Sequence, residues 1–150
     1  MTNLRKSLLL CALLSTAISA AAKIETCPID GKRHALARAY ESDSRNAVAA
    51  ASPAEINRLY AESAVFIPPT DETVVGRDLI ASYLSSSGSI YATDNINIDL
   101  VSCTRDGKLM HIAAVWGKAT PEGHWQSGNL VRVLQQEQTG RWLTRYEIWN

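Results

Sequence analysis

Asn95–Thr120 reads NINIDLVSCTRDGKLMHIAAVWGKAT, and the fold turns on this stretch. Asn95–Cys103 alternates apolar and polar residues at period two, the pattern of a strand with one buried face. Arg105-Asp106-Gly107-Lys108 supplies an Asp-Gly turn, whose backbone matches the twist of two flanking strands and so closes a hairpin. Leu109–Thr120 then returns as a long strand. Further on, Pro121-Glu122-Gly123 turns the chain, His124–Gln136 makes the next strand, Thr139-Gly140 turns again, and Arg141–Trp149 is the last. Four antiparallel strands in sequence leave one sheet face in need of cover.

The cover lies upstream. Arg33–Ala51 is alanine-rich and free of Gly and Pro, which predicts a helix, with Leu36, Tyr40, Asp43 and Ala47 sharing a face at steps of three or four. Ser52-Pro53-Ala54-Glu55 is a start signal: serine caps, proline suits the first helical position, and glutamate three residues on completes a capping box. It predicts a second helix from Pro53 to Ala61. Ala64–Ile67 is a short strand stopped by Pro68-Pro69, with Thr73-Val74-Val75 as partner. Arg77–Leu84 is a third helix with Leu79, Ile80, Tyr83 and Leu84 on one side, ended by serines and Gly88. Three helices against an antiparallel sheet give an α+β domain.

The first residues are of another kind. Arg5 and Lys6 precede the apolar or small run Ser7–Ile18, and Ser19-Ala20-Ala21-Ala22 offers small residues at −3 and −1. That is a secretory signal peptide cleaved near Ala22. The run is too short to span a bilayer, which takes roughly 20 apolar residues. Cys11 lies inside it behind Leu8-Leu9-Leu10, where a lipidated cysteine would follow a small residue. The chain is thus divided into residues 1–22 as signal, 23–32 as an N-terminal extension and 33–150 as the domain, exported to the periplasm or beyond the cell. With the signal removed, thirteen basic residues face fifteen acidic ones, without the basic stripe that a nucleic-acid binder needs. Cys27 and Cys103 remain. In an oxidising compartment an even count invites a disulfide; the alternative is two unpaired thiols.

Three stretches resemble one superfamily. Arg58–Pro69 (RLYAESAVFIPP) is similar to the helix-to-strand segment of SnoaL-like, or nuclear-transport-factor-2-like, domains. Val75–Ile80 (VGRDLI) resembles the G-R-x-x-I opening of their third helix. Ser127–Val133 (SGNLVRV), Gly140-Arg141-Trp142 and Glu147–Asn150 (EIWN) resemble their last two strands. The resemblance implies a cone: a curved antiparallel sheet wrapped on three helices around a cavity. In the ketosteroid isomerases of this superfamily a carboxylate follows the second helix as general base; the matching position here is Ile67, which cannot take a proton. The oxyanion acid falls on Asn129 and the tyrosine near Asp43, with Tyr40 one turn earlier.

If Trp149 lines the cavity, as the resemblance implies, then Glu147 and Arg145 point the same way. Asn129, Val131 and Val133 would share that face, as would Trp116, Ala114 and Ile112. The resulting cup holds Tyr40, Trp116, Asn129 and Trp149 as ligand contacts, with Glu147 and Asp43 as candidate acids or bases. Such an apolar cup with a few polar groups is the usual make-up of a small-molecule site. For Glu147 the alternative is an ion pair with Arg145 or Arg132 that merely satisfies the core. His34, His111 and His124 lack metal-ligand spacing, and phosphate-loop, dinucleotide and serine-hydrolase motifs are missing, so neither metal nor cofactor is expected. The expectation is therefore a binding domain for a small apolar or amphipathic molecule. The alternatives are an isomerase, dehydratase or cyclase using a pocket carboxylate, or an association module. Relatives of this fold often pair through the outer sheet face, where Val115, Trp125 and Leu130 are expected, so a homodimer is the expected partner.

Overall fold

The computed structural model describes residues 25–27, 31–69, 72–86, 96–120 and 122–150. The segment read as a signal, with its cleavage site and Cys11, lies outside them, as do Gly88 and Pro121. Strand β1 is Glu25–Thr26, followed by helices α1, Lys32–Ala49, and α2, Pro53–Asn57. Then come β2, Tyr60–Ile67, β3, Val74–Val75, and α3, Arg77–Ser85. The chain ends with β4, Asn97–Asp106, β5, Leu109–Ala119, β6, Trp125–Gln136, and β7, Trp142–Trp149. They form one curved, unclosed sheet in the order β1-β4-β5-β6-β7-β2-β3. The α+β cone is therefore the fold, with one change: β2 and β7 run parallel, so the sheet is mixed rather than wholly antiparallel.

Local chemistry sets the elements. Glu55 N–H donates to Ser52 Oγ at 3.4 Å, with Pro53 at the first helical position of α2. That helix stops at Asn57, not at Ala61: Tyr60 already registers with Thr144 of β7, and Thr144 N–H donates to Leu59 O at 2.8 Å. Sheet pairing there outcompetes the helical propensity of Leu59-Tyr60-Ala61, which is the ordinary tertiary override of a weak local preference. The β4–β5 hairpin turns at Gly107 with φ +55°, the left-handed backbone that glycine adopts without a Cβ penalty. In α3, Ile80, Ala81 and Leu84 are buried while Leu79 is 63 % exposed, so Leu79 sits outside the face assigned to it.

Two apolar clusters fill the cone. One gathers Ile56, Phe66, Ile80, Leu84, Trp116, Leu130 and Trp149; the other holds Ala37, Tyr40, Met110, Ile112 and Leu134 around Cys27 and Cys103. The two cysteines form a disulfide with Cα atoms 5.2 Å apart, and Cys27 N–H donates to Cys103 O at 2.7 Å. The bond ties Cys27, which follows β1, to Cys103 of β4. Closing a loop over a separation of 76 residues restricts the unfolded chain by roughly 4 to 5 kcal/mol on the chain-entropy account.

Candidate functional site

Strand register decides what the cone encloses. Across β6 and β7, Leu130 pairs with Trp149 and Arg132 with Glu147; across β5 and β6, Trp116 pairs with Gly128 and Ile112 with Arg132. Residues directly opposite each other share a face. The inward set on β6 is thus Leu130, Arg132 and Leu134, all buried, while Asn129 and Val131 are exposed. Asn129, Val131 and Val133 therefore do not share the cup, and Leu130 is not on the outer face; the expected parity is one residue out of step. A one-residue slip exchanges every side chain between faces. Asn129 instead pairs with Asn150 at the sheet margin, its Nδ2 donating to Asn150 Oδ1 at 3.1 Å. On β7 the register shifts between Thr144 and Tyr146, leaving Arg145 as the extra residue of a bulge. Its Nη1 reaches Ser63 Oγ at 2.8 Å rather than the interior.

Helix α1 presents Ala37, Tyr40, Glu41, Ser44, Ala47 and Val48 to the sheet. Asp43 is exposed, one position off that stripe. What faces Arg132 across the cone is thus Glu41, which the sequence reading passed over. The available signal was its place in the 37-40-41-44-47-48 stripe, where a lone acid among small and apolar residues asks for a buried partner.

The centre of the cone is an ionic network. Arg132 Nε donates to Glu147 Oε2 at 3.0 Å, Arg132 Nη1 pairs with Glu41 Oε1, and Arg132 Nη2 reaches Ser44 Oγ at 3.3 Å. Glu147 also accepts from Tyr60 Oη and from Trp149 Nε1, each at 2.6 Å. All three ionic side chains are almost fully buried, and the Arg132 guanidinium lies 5.6 Å over the Tyr40 ring. Burial works against the charge of Arg132, but Glu147 and Glu41 hold its pKa well above the ordinary guanidinium value. Burial raises the Glu41 pKa, and the attraction of Arg132 opposes this without cancelling it. Glu41 Oε2 is buried without a hydrogen-bond partner, which further disfavours its ionised form. Burial and then the Glu147 carboxylate push Tyr60 well above the usual phenol range, so it stays a donor.

The other expected contacts are largely committed to the protein itself. Tyr40 Oη donates to Leu59 O and shares a hydrogen bond of 2.8 Å with Thr144 Oγ1; burial pushes its pKa up to about 12. Trp116 Nε1 donates to Asn150 O at 3.1 Å, and its ring packs 6.0 Å from Trp149. Gly128 makes room for this, since a Cβ there would lie 1.7 Å from Asn150 O. Ile67 registers with Ile148 at the end of β2, and Phe66, not Ile67, stands beside Glu147. His34 is buried, with Nδ1 accepting from Arg38 Nε at 3.1 Å. Among the described residues no group of three or more His, Cys, Asp and Glu side chains is placed to hold a metal.

Above this network a cleft opens between α1, α3 and β4. It is lined by Val48, Leu84, Ile96, Ile98 and Trp149, with Ser44, Arg45, Tyr60, Arg132 and Glu147 as its polar part. It encloses about 310 Å³ counted out to open solvent, but its interior proper is about 20 Å³. That is room for a single water.

No protein-family model and no curated protein matches the chain. Solved structures do. A ketosteroid isomerase-like protein from Erwinia carotovora atroseptica SCRI1043 superposes with TM-score 0.60 at 15 % identity, covering 79 % of this chain and 95 % of that one. An NTF-2 like protein of unknown function from Shewanella oneidensis MR-1 gives 0.62 at 8 %, covering 78 % and 98 %. The fold is nuclear-transport-factor-2-like. A domain of unknown function with a cystatin-like fold from Nostoc punctiforme PCC 73102 gives 0.65 at 15 %, covering 78 % and 75 %. At these identities the nuclear-transport-factor-2-like likeness establishes architecture alone; the activity has to come from the site.

Proposed function

We propose that this is an exported binding domain whose cone mouth takes the apolar part of a small amphipathic molecule, without catalysing a reaction on it. The observation that supports this is the state of Glu147. A general base needs a lone pair aimed at the substrate. Glu147 spends its two oxygens on Arg132, Tyr60 and Trp149, beneath a cleft whose walls are mainly apolar. With so little interior space, the molecule lies across the mouth rather than deep in the cone. Export is supported by the Met1–Ala22 pattern and by a disulfide compatible with an oxidising compartment. Among the described residues no helix is long and apolar enough to cross a membrane.

Native mass spectrometry of the protein secreted by its own signal tests this. The expected spectrum shows cleavage near Ala22 and a retained small molecule, or saturable uptake of an added amphipathic probe that Ile98→Trp abolishes. Absence of both retention and uptake refutes the reading. Turnover that Glu147→Gln abolishes while its fold is kept would establish the enzymatic alternative instead.

A second reading, homodimerisation, is supported by the outer face. Val131 and Ile148 are opposite each other there, with Tyr146 one position on; they are 42 %, 40 % and 47 % exposed. Val115 adds to this apolar surface at 41 %. Contiguous exposed apolar residues of this kind mark association surfaces, and we propose a second copy as the occupant.

A further inference from the structure

We infer that the chain carries a second binding site, sharing Tyr60 with the cone mouth, for a small solute bearing a multiply charged oxyanion such as phosphate or a polycarboxylate. At one end of the fold a polar pocket of about 270 Å³ is lined by Asn57, Arg58, Tyr60, Arg77, Glu137, Arg141 and Leu143. Three guanidinium groups share it with one carboxylate. Arg58 follows α2, Arg77 opens α3, and Arg141 precedes β7. The three stretches on which the superfamily resemblance rests, Arg58–Pro69, Val75–Ile80 and Gly140-Arg141-Trp142, each deliver one of these arginines. Neither the core nor the cone mouth uses them.

The arrangement is built, yet its charge is matched only in part, by Glu137. Arg141 Nη2 donates to Arg58 O at 2.8 Å, and Arg141 O accepts from Glu137 N–H at 2.8 Å, so two of the lining segments are tied together. Among the described residues, none of Arg58, Arg77 and Arg141 takes part in an ion pair. The nearest acid in sequence, Asp78, accepts from Asn57 Nδ2 at 2.9 Å. Arg77 also stands in the first turn of α3, where the positive end of the helix dipole disfavours a cation. Three exposed like charges gathered with the single Glu137 carboxylate, one of them against a helix dipole, leave a net repulsion that opposes folding locally. A bound dianion removes that opposition, and planar guanidinium forks suit phosphate and carboxylate oxygens. The space suffices for such a group with a small body attached, while Tyr60 and Leu143 close the floor.

The test is thermal melting and titration calorimetry of the mature, disulfide-bonded protein with inorganic phosphate and, in parallel, citrate, against sodium chloride at matched ionic strength. Saturable binding and a raised Tm are expected with at least one of the two probes. A response to phosphate alone assigns the site to a phosphate group, and one to citrate alone assigns it to a polycarboxylate. Arg77→Gln and Arg141→Gln should each weaken binding about three- to tenfold, Arg77→Lys less, and Lys108→Gln not at all. In chloride, Arg77→Gln should melt no lower than the wild type, because it removes a cation from the head of α3. Only in the presence of the anion should the wild type overtake it, a crossover that a purely structural arginine would not produce. Equal melts in phosphate, citrate and chloride overturn the inference, as does undiminished affinity in both glutamine variants.

Discussion

Arg132→Met should be among the most damaging single changes in this protein. The substitution keeps much of the side-chain volume but strands two carboxylates, Glu41 and Glu147, that are 6 % and 2 % exposed. Removing one partner of a buried ion pair costs about 3 to 5 kcal/mol, since the remaining charge is left unpaired in a poorly polarisable interior. Here Tyr60 and Trp149 still donate to Glu147, which keeps the cost within that range even though two acids lose their cation. At about 3 °C per kcal/mol for a domain of this size, Tm should fall by roughly 10 to 15 °C at pH 7. The pH dependence is the sharper part. Without Arg132 the attraction that opposes burial at Glu41 is gone, so that carboxyl titrates further above its unfolded value in the folded state. The Glu41 contribution is then present below the unfolded carboxylate pKa and is lost as pH rises through the folded one. The variant should therefore approach the wild type near pH 4.5 and fall away from it toward pH 8. Circular-dichroism melts from pH 4 to 8 read this directly. A Tm at pH 7 within about 3 °C of wild type, or a deficit that does not grow with pH, would refute the network as described.

Other outcomes follow from the same geometry. Glu41→Gln should be far milder than Arg132→Met, because Arg132 keeps Glu147. With the Glu41 pKa raised, its stabilising contribution is lost as pH rises, so the wild type's melting advantage over Glu41→Gln should shrink or reverse from pH 4.5 to 8; growth of that advantage would contradict the burial argument. Glu147→Gln places an amide N–H against a shell of donors, costing about 2 to 4 kcal/mol, measurable by urea unfolding. Reduction of the disulfide, or Cys27→Ser with Cys103→Ser, should lower stability by up to roughly 4 to 5 kcal/mol in melts with and without reductant. Ile148→Lys with Val131→Lys should convert a dimer to a monomer in analytical ultracentrifugation while leaving Tm of the monomer nearly unchanged; a wild type that sediments as a monomer removes the dimer proposal.

How far the sequence reached can be judged residue by residue. The Ser52-Pro53-Ala54-Glu55 start, the Asp106-Gly107 turn, the third helix and the last four strands are local, each written in period or turn chemistry within a few residues, and the structure reproduces them closely. The pairing of Cys27 with Cys103 followed from the count of cysteines outside the segment read as a signal. Trp149 was placed inside by the resemblance and Glu147 by the parity of its strand, which holds as far as the bulge at Arg145. What failed was relative. Whether Asn129 or Leu130 joins Trp149 depends on the register between two strands, and no residue on either strand states it; a slip of one exchanges the faces. The Arg145 bulge likewise exists only once β7 lies beside β6. Glu41 was overlooked because its reason to be buried, Arg132, is 91 residues away. The three arginines of the outer pocket are unremarkable one at a time, and only the fold brings them together. Sequence by itself thus determined the elements and the α+β class, since these rest on short-range sterics and periodicity, while the cone came from the superfamily resemblance. The tertiary structure decided the occupancy of the cone and the charge clusters, since those depend on which distant residues meet and on how completely water is excluded where they do.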